Sequence, residues 1–152
     1  YGSLINPDEI TSFFACTEPD LVPVRVEGFR RSFAQKSLHR EGENGESAIM
    51  TVEKSDNNWF NATLFPVTGD EFEGYKIREG GYTIVDVETR NVTPYADYSF
   101  SPSDYDRIVT AVGDRPLEDP RPIPYYASMC VEGAKEWGDS FLADFLVTTY
   151  RR

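Results

Sequence analysis

Apolar residues recur along the chain at two different periods. Alternating or continuous apolar runs are typical of strands, and they occur at residues 21–33, 47–54, 58–67, 82–89 and 107–113. Spacing that places apolar residues on one face of a helix occurs at residues 7–16, 68–79, 125–137 and from residue 139 onward. The pattern therefore predicts a fold that mixes strands and helices, and we find no internal repeat in it.

Capping residues mark where two of these helices begin and where one of them ends. Asn6 is a typical N-cap, and Pro7 suits the first helical position, where no N–H group is needed. Thr68 and Glu71 have the spacing of a capping box. The pair Gly80-Gly81 follows the second predicted helix and favours a stop before the next strand. These residues predict the starts of the first two helices and the end of the second.

The segments around the predicted strands carry turn and loop signals. Gly28 predicts a bulge in the first strand, and the Ser-Asp-Asn run at 55–57 predicts a hairpin turn between the next two. Polar residues predict a loop at 34–46, and the Pro, Ser, Asp and Tyr content of 91–106 predicts an irregular excursion. Four prolines make 114–124 an extended connector over the surface.

Composition and charge exclude several classes of protein. The chain has 152 residues and 39% hydrophobic residues, which is sufficient for one domain, residues 1–152, with a sizeable core. A formal net charge of −11 argues against a nucleic-acid binder and against binding to an anionic membrane surface. No apolar run approaches the roughly 18–20 residues that span a bilayer, and there is no signal-peptide pattern. We therefore expect a soluble cytoplasmic protein.

The few residues with reactive side chains do not form a known motif. Cys16 and Cys130 are too far apart for a redox or zinc motif, and we interpret them as buried apolar residues, with a disulfide as the alternative. His39 is the single histidine and lies in a polar loop, which disfavours a Cys–His or Ser–His catalytic set. Arg30 and Arg31 would point to opposite faces of a strand, so one could reach a pocket, although a solvated strand end is favoured for either. We expect no metal and no cofactor.

Two local features suit the binding and chemistry of a small molecule. The stretch Tyr1-Gly2-Ser3-Leu4 lies directly before a helix start, where free N–H groups suit an anion, although an ordinary loop is the alternative. Glu79 is predicted in the last turn of a helix, where the partial negative charge disfavours its ionised form. If it faces a cavity with Tyr75 and Tyr82, it has the profile of a general acid or base. An ion pair with Arg78 is the alternative.

Three stretches, found in this order, resemble the γ-glutamylcyclotransferase-like proteins. They are Tyr1-Gly2-Ser3-Leu4, then Arg78-Glu79-Gly80-Gly81-Tyr82 leading into a Val-rich strand, then Tyr126 followed by Gly133-Ala134-Lys135-Glu136 and Gly138. That family includes γ-glutamylcyclotransferase, the γ-glutamylamine cyclotransferases, the ChaC-type glutathione-specific enzymes and the plant AIG2-like proteins. The likeness extends over essentially the whole chain.

The resemblance implies an α+β fold in which a small mixed β-barrel with flanking helices has an active-site cavity at one mouth. It implies that Glu79 is the catalytic residue and acts as general acid and base. The substrate-binding residues that it implies are Tyr1, Gly2, Ser3, Leu4, Tyr82 and Tyr126, with Tyr125 as the alternative to its neighbour. The implied reaction is an intramolecular aminolysis that releases 5-oxoproline and a free amine without a cofactor.

Other functions remain open on the same sequence. One is a non-catalytic, AIG2-like module that binds a small ligand, and another is a protein interaction domain that uses the connector 114–124. The expected partner is a small γ-glutamyl substrate, not a nucleic acid or a membrane, and the expected state is a monomer or a weak homodimer. The sequence departs from the family at Asn61, where a glycine is common, and at 91–106, which has no counterpart. Family members also usually carry a strand before the segment that here begins at Tyr1.

Overall fold

A computed structural model describes residues 1–150. The strands are β1 Val22–Lys36, β2 Ala48–Leu64, β3 Tyr82–Asp86, β4 Val92–Pro94, β5 Val109–Gly113 and β6 Thr149–Tyr150. The helices are α1 Pro7–Phe13, α2 Gly69–Arg78, α3 Pro124–Lys135 and α4 Asp139–Val147. None of the helices in this range has the length and apolar character needed to cross a bilayer.

Strand β1 is the centre of the main sheet. It pairs antiparallel with β2 along most of its length and with β4 over a short stretch, and it pairs parallel with β6. Strands β3 and β5 form a separate antiparallel pair. The predicted mixture of strands and helices is confirmed. Among residues 1–150 these pairings form two sheets and close no ring, so the barrel stays a prediction.

The predicted hairpin turn at 55–57 is wrong, because these residues lie within the single strand β2. The register between the two long strands shifts between Glu27 and Phe29, so that the polar segment of β2 bulges out opposite Gly28. Gly28 has φ +87°, which glycine adopts without a steric penalty. The register shifts at the glycine where a bulge was predicted, but the extra residues belong to β2 and not to the first strand. Strand β1 continues through it and is the partner of both halves of β2.

The predicted capping signals of α2 are confirmed. The Thr68 hydroxyl accepts a hydrogen bond from the Glu71 N–H at 3.3 Å, and the Glu71 carboxylate accepts one from the Thr68 N–H at 3.2 Å. Glu79 is the C-cap, and Gly81 follows with φ +90°, a left-handed conformation that favours glycine. The chain therefore leaves the helix and enters β3 within a few residues of Glu79.

Helix α1 and the segment 91–106 differ from their predictions. Helix α1 begins after Asn6 as predicted but ends at Phe13 rather than Cys16, because Phe14 is extended and its ring packs 4.9 Å from the ring of Phe65. The segment 91–106 is not wholly irregular, since β4 within it pairs with β1. In both places a contact with a distant part of the chain decides the local conformation.

The proline-rich connector 114–124 runs along the edge of the main sheet. The Leu117 N–H donates to the Ala34 carbonyl at 2.8 Å, and the Ile123 N–H donates to the Ala48 carbonyl at 3.1 Å. Ile123 is fully buried. These contacts match the interpretation of the segment as a connector.

Two of the apolar clusters beside the cavity described below involve both β1 and β2. The first joins these strands to α3 and α4 and comprises Ile5, Phe33, Met50, Ile123, Tyr126, Cys130, Ala134, Phe141 and Phe145. The second comprises Val22, Val24, Val26, Phe29, Val52, Phe60, Ala62, Val87 and Val92. Cys130 is buried and Cys16 is half-buried, and both are free thiols, so the alternative of a disulfide is not realised.

Arg31 is completely buried, which corrects the prediction of a solvated strand end. Its guanidinium lies 4.2 Å from the centre of the Phe145 ring. It donates hydrogen bonds to the Asn61 carbonyl, Asn61 Oδ1, the Phe145 carbonyl, Thr148 Oγ1 and Thr149 Oγ1 at 2.6–3.1 Å. Burial lowers the pKa of Arg31 to about 9, so the group stays protonated at neutral pH. Arg30 is half-buried and pairs with Glu53.

Candidate active site

A cavity of about 500 Å³ lies beside the main sheet. All of the residues that the sequence predicts for a site line this cavity, and they are Tyr1, Gly2, Ser3, Leu4, Glu79, Tyr82 and Tyr126. Tyr125 also lines it but is 47% exposed, whereas Tyr126 is buried. The structure thus brings together three stretches that are far apart in the sequence.

The opening segment forms a tight turn that is anchored to the rest of the protein. Residues 3–5 form a 3₁₀ turn in which the Ile5 N–H donates to the Gly2 carbonyl at 3.0 Å. The Ile5 carbonyl accepts hydrogen bonds from Trp137 Nε1 at 2.8 Å and from Thr63 Oγ1 at 3.1 Å. Because the first N–H groups of such a turn have no acceptor within it, they are available to a ligand.

Glu79 is held by its neighbour in the chain. Its Oε1 accepts a hydrogen bond from Arg78 Nη1 at 2.7 Å, and the two side chains are 15% and 24% exposed. Arg78 Nη2 lies 3.5 Å from the hydroxyl oxygen of Ser3. The ion pair considered as the alternative for Glu79 is therefore present, and the same carboxylate lines the cavity. Arg78 links that carboxylate to the opening turn.

Half-buried tyrosines line the cavity together with the carboxylate. Tyr82 donates to the Met50 carbonyl at 2.6 Å, and Tyr1 donates to the Ala111 carbonyl at 2.5 Å. Burial raises the pKa of Tyr75 and Tyr82 well above the usual value, and the negative charge of Glu79 raises both further. These phenols therefore stay protonated at neutral pH.

Glu79 is the one carboxylate among the described residues that line the cavity. Together with the imidazole of His39, it is a lining side chain of the chemical type that acts as a general acid or base. No cluster of three or more His, Cys, Asp or Glu side chains in residues 1–150 is placed to hold a metal ion.

Sequence reasoning missed a basic part of the cavity wall. Lys36, Ser37, His39 and Arg40 line the cavity, although the segment 34–46 was predicted as a solvated loop. That prediction is wrong at residues 34–36, which are the end of β1. No periodic pattern marks such a loop. The signal that was available is the grouping of three basic side chains in a chain whose net charge is −11.

The fold is that of the γ-glutamyl cyclotransferases. The structure of a γ-glutamyl cyclotransferase superposes with a TM-score of 0.65 at 15% identity, covering 97% of this chain and 84% of its own. An uncharacterized human protein gives a TM-score of 0.64 at 16% identity with the same coverage. A glutathione-specific γ-glutamyl cyclotransferase from yeast gives 0.54 at 15% identity, covering 97% of this chain and 92% of its own.

At the level of the sequence, no protein-family model matches the chain, and a comparison with curated proteins found no match. The resemblance inferred from three short stretches is confirmed by the structural comparisons as a likeness of fold. Activity and substrate are separate questions, since one fold can carry different chemistries.

Proposed function

We propose that this protein is a γ-glutamylcyclotransferase-type enzyme that converts a γ-glutamyl amide or peptide into 5-oxoproline and a free amine or amino acid. The observation that carries the proposal is the position of Glu79, a carboxylate that lines the cavity and is linked through Arg78 to Ser3. The cavity volume of about 500 Å³ is within the usual range for small-molecule sites. The fold supports the same reaction class.

The proposed reaction needs only the atoms of the substrate. The α-amino nitrogen attacks the γ-carbonyl carbon, and a new C–N bond closes the lactam ring. The bond from that carbon to the leaving nitrogen then breaks. Glu79 takes the proton from the attacking amine and returns it to the leaving nitrogen, so atoms and charge balance without water or a redox partner. Because nucleophile and electrophile belong to one molecule, much of the entropic barrier is removed in advance.

The opening turn takes the role of substrate holder in this proposal. The N–H groups of Gly2, Ser3 and Leu4 bind the glutamyl carboxylate or the oxyanion that develops on the γ-carbonyl. Tyr82 and Tyr126 form the walls that keep water from the reacting atoms. Arg78 is a positioning residue, because it orients the Glu79 carboxylate through the hydrogen bond at 2.7 Å.

The direct test is to incubate the protein with γ-glutamyl dipeptides, glutathione and γ-glutamyl amines and to measure 5-oxoproline. Glu79→Gln should lower the rate by about 10²–10⁴-fold, the usual contribution of a general acid–base, while its circular dichroism spectrum is unchanged. Glu73→Gln is the matched control, since Glu73 lies on the same helix, is exposed and pairs with Lys76. It should keep full activity.

Two results would contradict the proposal. One is full activity of the Glu79→Gln variant, and the other is the absence of 5-oxoproline from every substrate tested. Binding of a γ-glutamyl ligand without turnover by the wild-type protein would favour the non-catalytic module instead. The presence of a carboxylate in the cavity favours the enzyme.

A further inference from the structure

Two cations of the cavity wall have no carboxylate partner. Arg78 pairs with Glu79, but among the ion pairs of residues 1–150 none involves Lys36 or Arg40. The chain has 26 acidic and 15 basic residues, so acidic partners are in excess. The cavity therefore has an excess of positive charge in a protein whose net charge is negative.

Arg40 is held in position rather than left mobile in solvent. Its guanidinium carbon lies 5.5 Å from the centre of the Tyr126 ring, and its Nη1 lies 3.9 Å from Met129 Sδ. The backbone N–H of Arg40 donates to Ser37 Oγ at 2.9 Å, and Ser37 is buried. An arginine that is already ordered loses less conformational entropy when it binds an anion.

The turn that carries Arg40 borders the proposed reaction centre. Leu38 Cδ1 lies 3.3 Å from the position that a Cβ on Gly81 would occupy, so this turn packs against the turn directly after Glu79. On its other side it contacts Tyr126, which packs against Gly2. A leaving group released beside Glu79 would therefore lie next to the part of the cavity wall that this turn forms.

We propose that Arg40, with Lys36 as the outer cation, binds a carboxylate on the leaving group. The substrate class is then γ-glutamyl amino acids or peptides rather than γ-glutamyl amines. A guanidinium binds a carboxylate through paired, charge-assisted hydrogen bonds, and the leaving group of a γ-glutamyl amine offers no such anion. The inference rests on the proposed function, in which the opening turn holds the glutamyl end.

The test uses two substrates that differ only in the carboxylate, γ-glutamyl-alanine and γ-glutamyl-ethylamine. Arg40→Gln should lower kcat/KM for γ-glutamyl-alanine by about 10- to 100-fold, the usual effect of one charge-assisted contact. It should change kcat/KM for γ-glutamyl-ethylamine by no more than about twofold. Lys36→Gln should have a smaller effect with the same selectivity. Arg90→Gln is the control, since Arg90 is exposed and lies outside the cavity wall.

Equal losses on both substrates would overturn the inference, because Arg40 would then act on the glutamyl end or on the fold. An unchanged kcat/KM for γ-glutamyl-alanine, or a wild-type preference for γ-glutamyl-ethylamine, would overturn it as well.

A binding measurement separates this inference from the proposed function. In the Glu79→Gln background, calorimetry should show tighter binding of γ-glutamyl-alanine than of γ-glutamyl-ethylamine, and adding Arg40→Gln should remove the difference. If this binding pattern is observed but the wild-type protein turns over neither substrate, the proposed enzymatic activity is rejected and the anion site at Arg40 is supported. Turnover of both substrates at equal rates would support the enzyme and reject the anion site. Equal binding of the two ligands would also reject the anion site.

Discussion

The hydroxyl of Tyr126 occupies the space that a side chain on Gly2 would need. An ideal Cβ on Gly2 would lie 2.5 Å from Tyr126 Oη, 3.8 Å from its Cζ and 3.5 Å from Met50 Cβ. Only the first of these distances is closer than ordinary van der Waals contact. Tyr126 is buried, so it has little freedom to move away. One oxygen atom on α3 therefore requires glycine in the opening turn.

The first prediction concerns this contact. Gly2→Ala should lower the free energy of unfolding by about 1–3 kcal/mol, as expected for overpacking. Tyr126→Phe removes the conflicting oxygen. In the Tyr126→Phe background, Gly2→Ala should therefore lower the free energy of unfolding much less than it does in the wild-type protein. Urea unfolding of the four proteins in a double-mutant cycle measures the coupling. Additive effects would show that Tyr126 Oη is not the reason for the glycine.

The second prediction concerns Arg78, which joins Glu79 to Ser3. Arg78→Met should reduce kcat for 5-oxoproline release by about 10²-fold, because a small displacement of a catalytic group costs that much. Arg78→Lys should retain part of the wild-type kcat, since lysine keeps the charge but lacks the planar pair of donors. Arg90→Met is the matched control. If Arg78→Met retained wild-type kcat, a positioning role would be excluded.

The third prediction concerns Asn61, which stands where the resembling family commonly has glycine. Its Oδ1 and carbonyl accept from Arg31, and its Nδ2 donates to the Phe141 carbonyl at 2.7 Å. Asn61→Gly should lower the free energy of unfolding by at least about 2 kcal/mol, because a buried guanidinium loses an acceptor. Asn57→Gly, at an exposed position of the same strand, should cost clearly less. If denaturant unfolding showed equal losses of free energy for Asn61→Gly and Asn57→Gly, the buried contact with Arg31 would not be the source of the stability.

The fourth prediction concerns alkaline pH. Burial raises the pKa of Cys130 from 9.0 to about 11 and raises the pKa of Tyr75, Tyr82 and Tyr126 above 10.0. The unfolded chain therefore releases these protons first. The stability contributed by Cys130 is complete below about pH 9 and is lost as the pH rises to about 11, and the tyrosines extend the loss to higher pH.

The measurement is the free energy of unfolding as a function of pH. It should fall above about pH 9, and a Cys130→Ala variant should show a smaller fall between pH 9 and 11. Tyrosinate absorbance should rise together with unfolding for the buried tyrosines. A stability that does not change over this interval would contradict the role of burial.

Signals that act over a few residues were sufficient to locate much of the architecture. The box of Thr68 and Glu71 and the glycine at position 81 define the helix before Glu79 because each contact closes within one turn of the chain. Each of the three stretches that suggested the family contributes at least one residue to the lining of one cavity. The roles of these residues stay predictions, since a lining position does not reveal a reaction.

The features that the sequence did not reveal depend on partners far along the chain. Residues 55–57 have the composition of a turn, yet β1 pairs on both sides of them and keeps them within a strand. Arg31 is buried because the Phe145 carbonyl, 114 residues away, supplies an acceptor. Arg40 lies in a segment without periodicity, so its place in the cavity wall follows only from tertiary packing.

The hydrogen bond from Trp137 to the Ile5 carbonyl has a consequence for the order of folding. It joins residues 132 positions apart, and loop closure over such a distance is slow and entropically costly. Because the chain is synthesised from its N-terminus, the turn that contains Ile5 is made well before the Trp137 indole that holds it. The turn therefore lacks this support until Trp137 has been synthesised, and the cavity wall that it forms is completed only after that point.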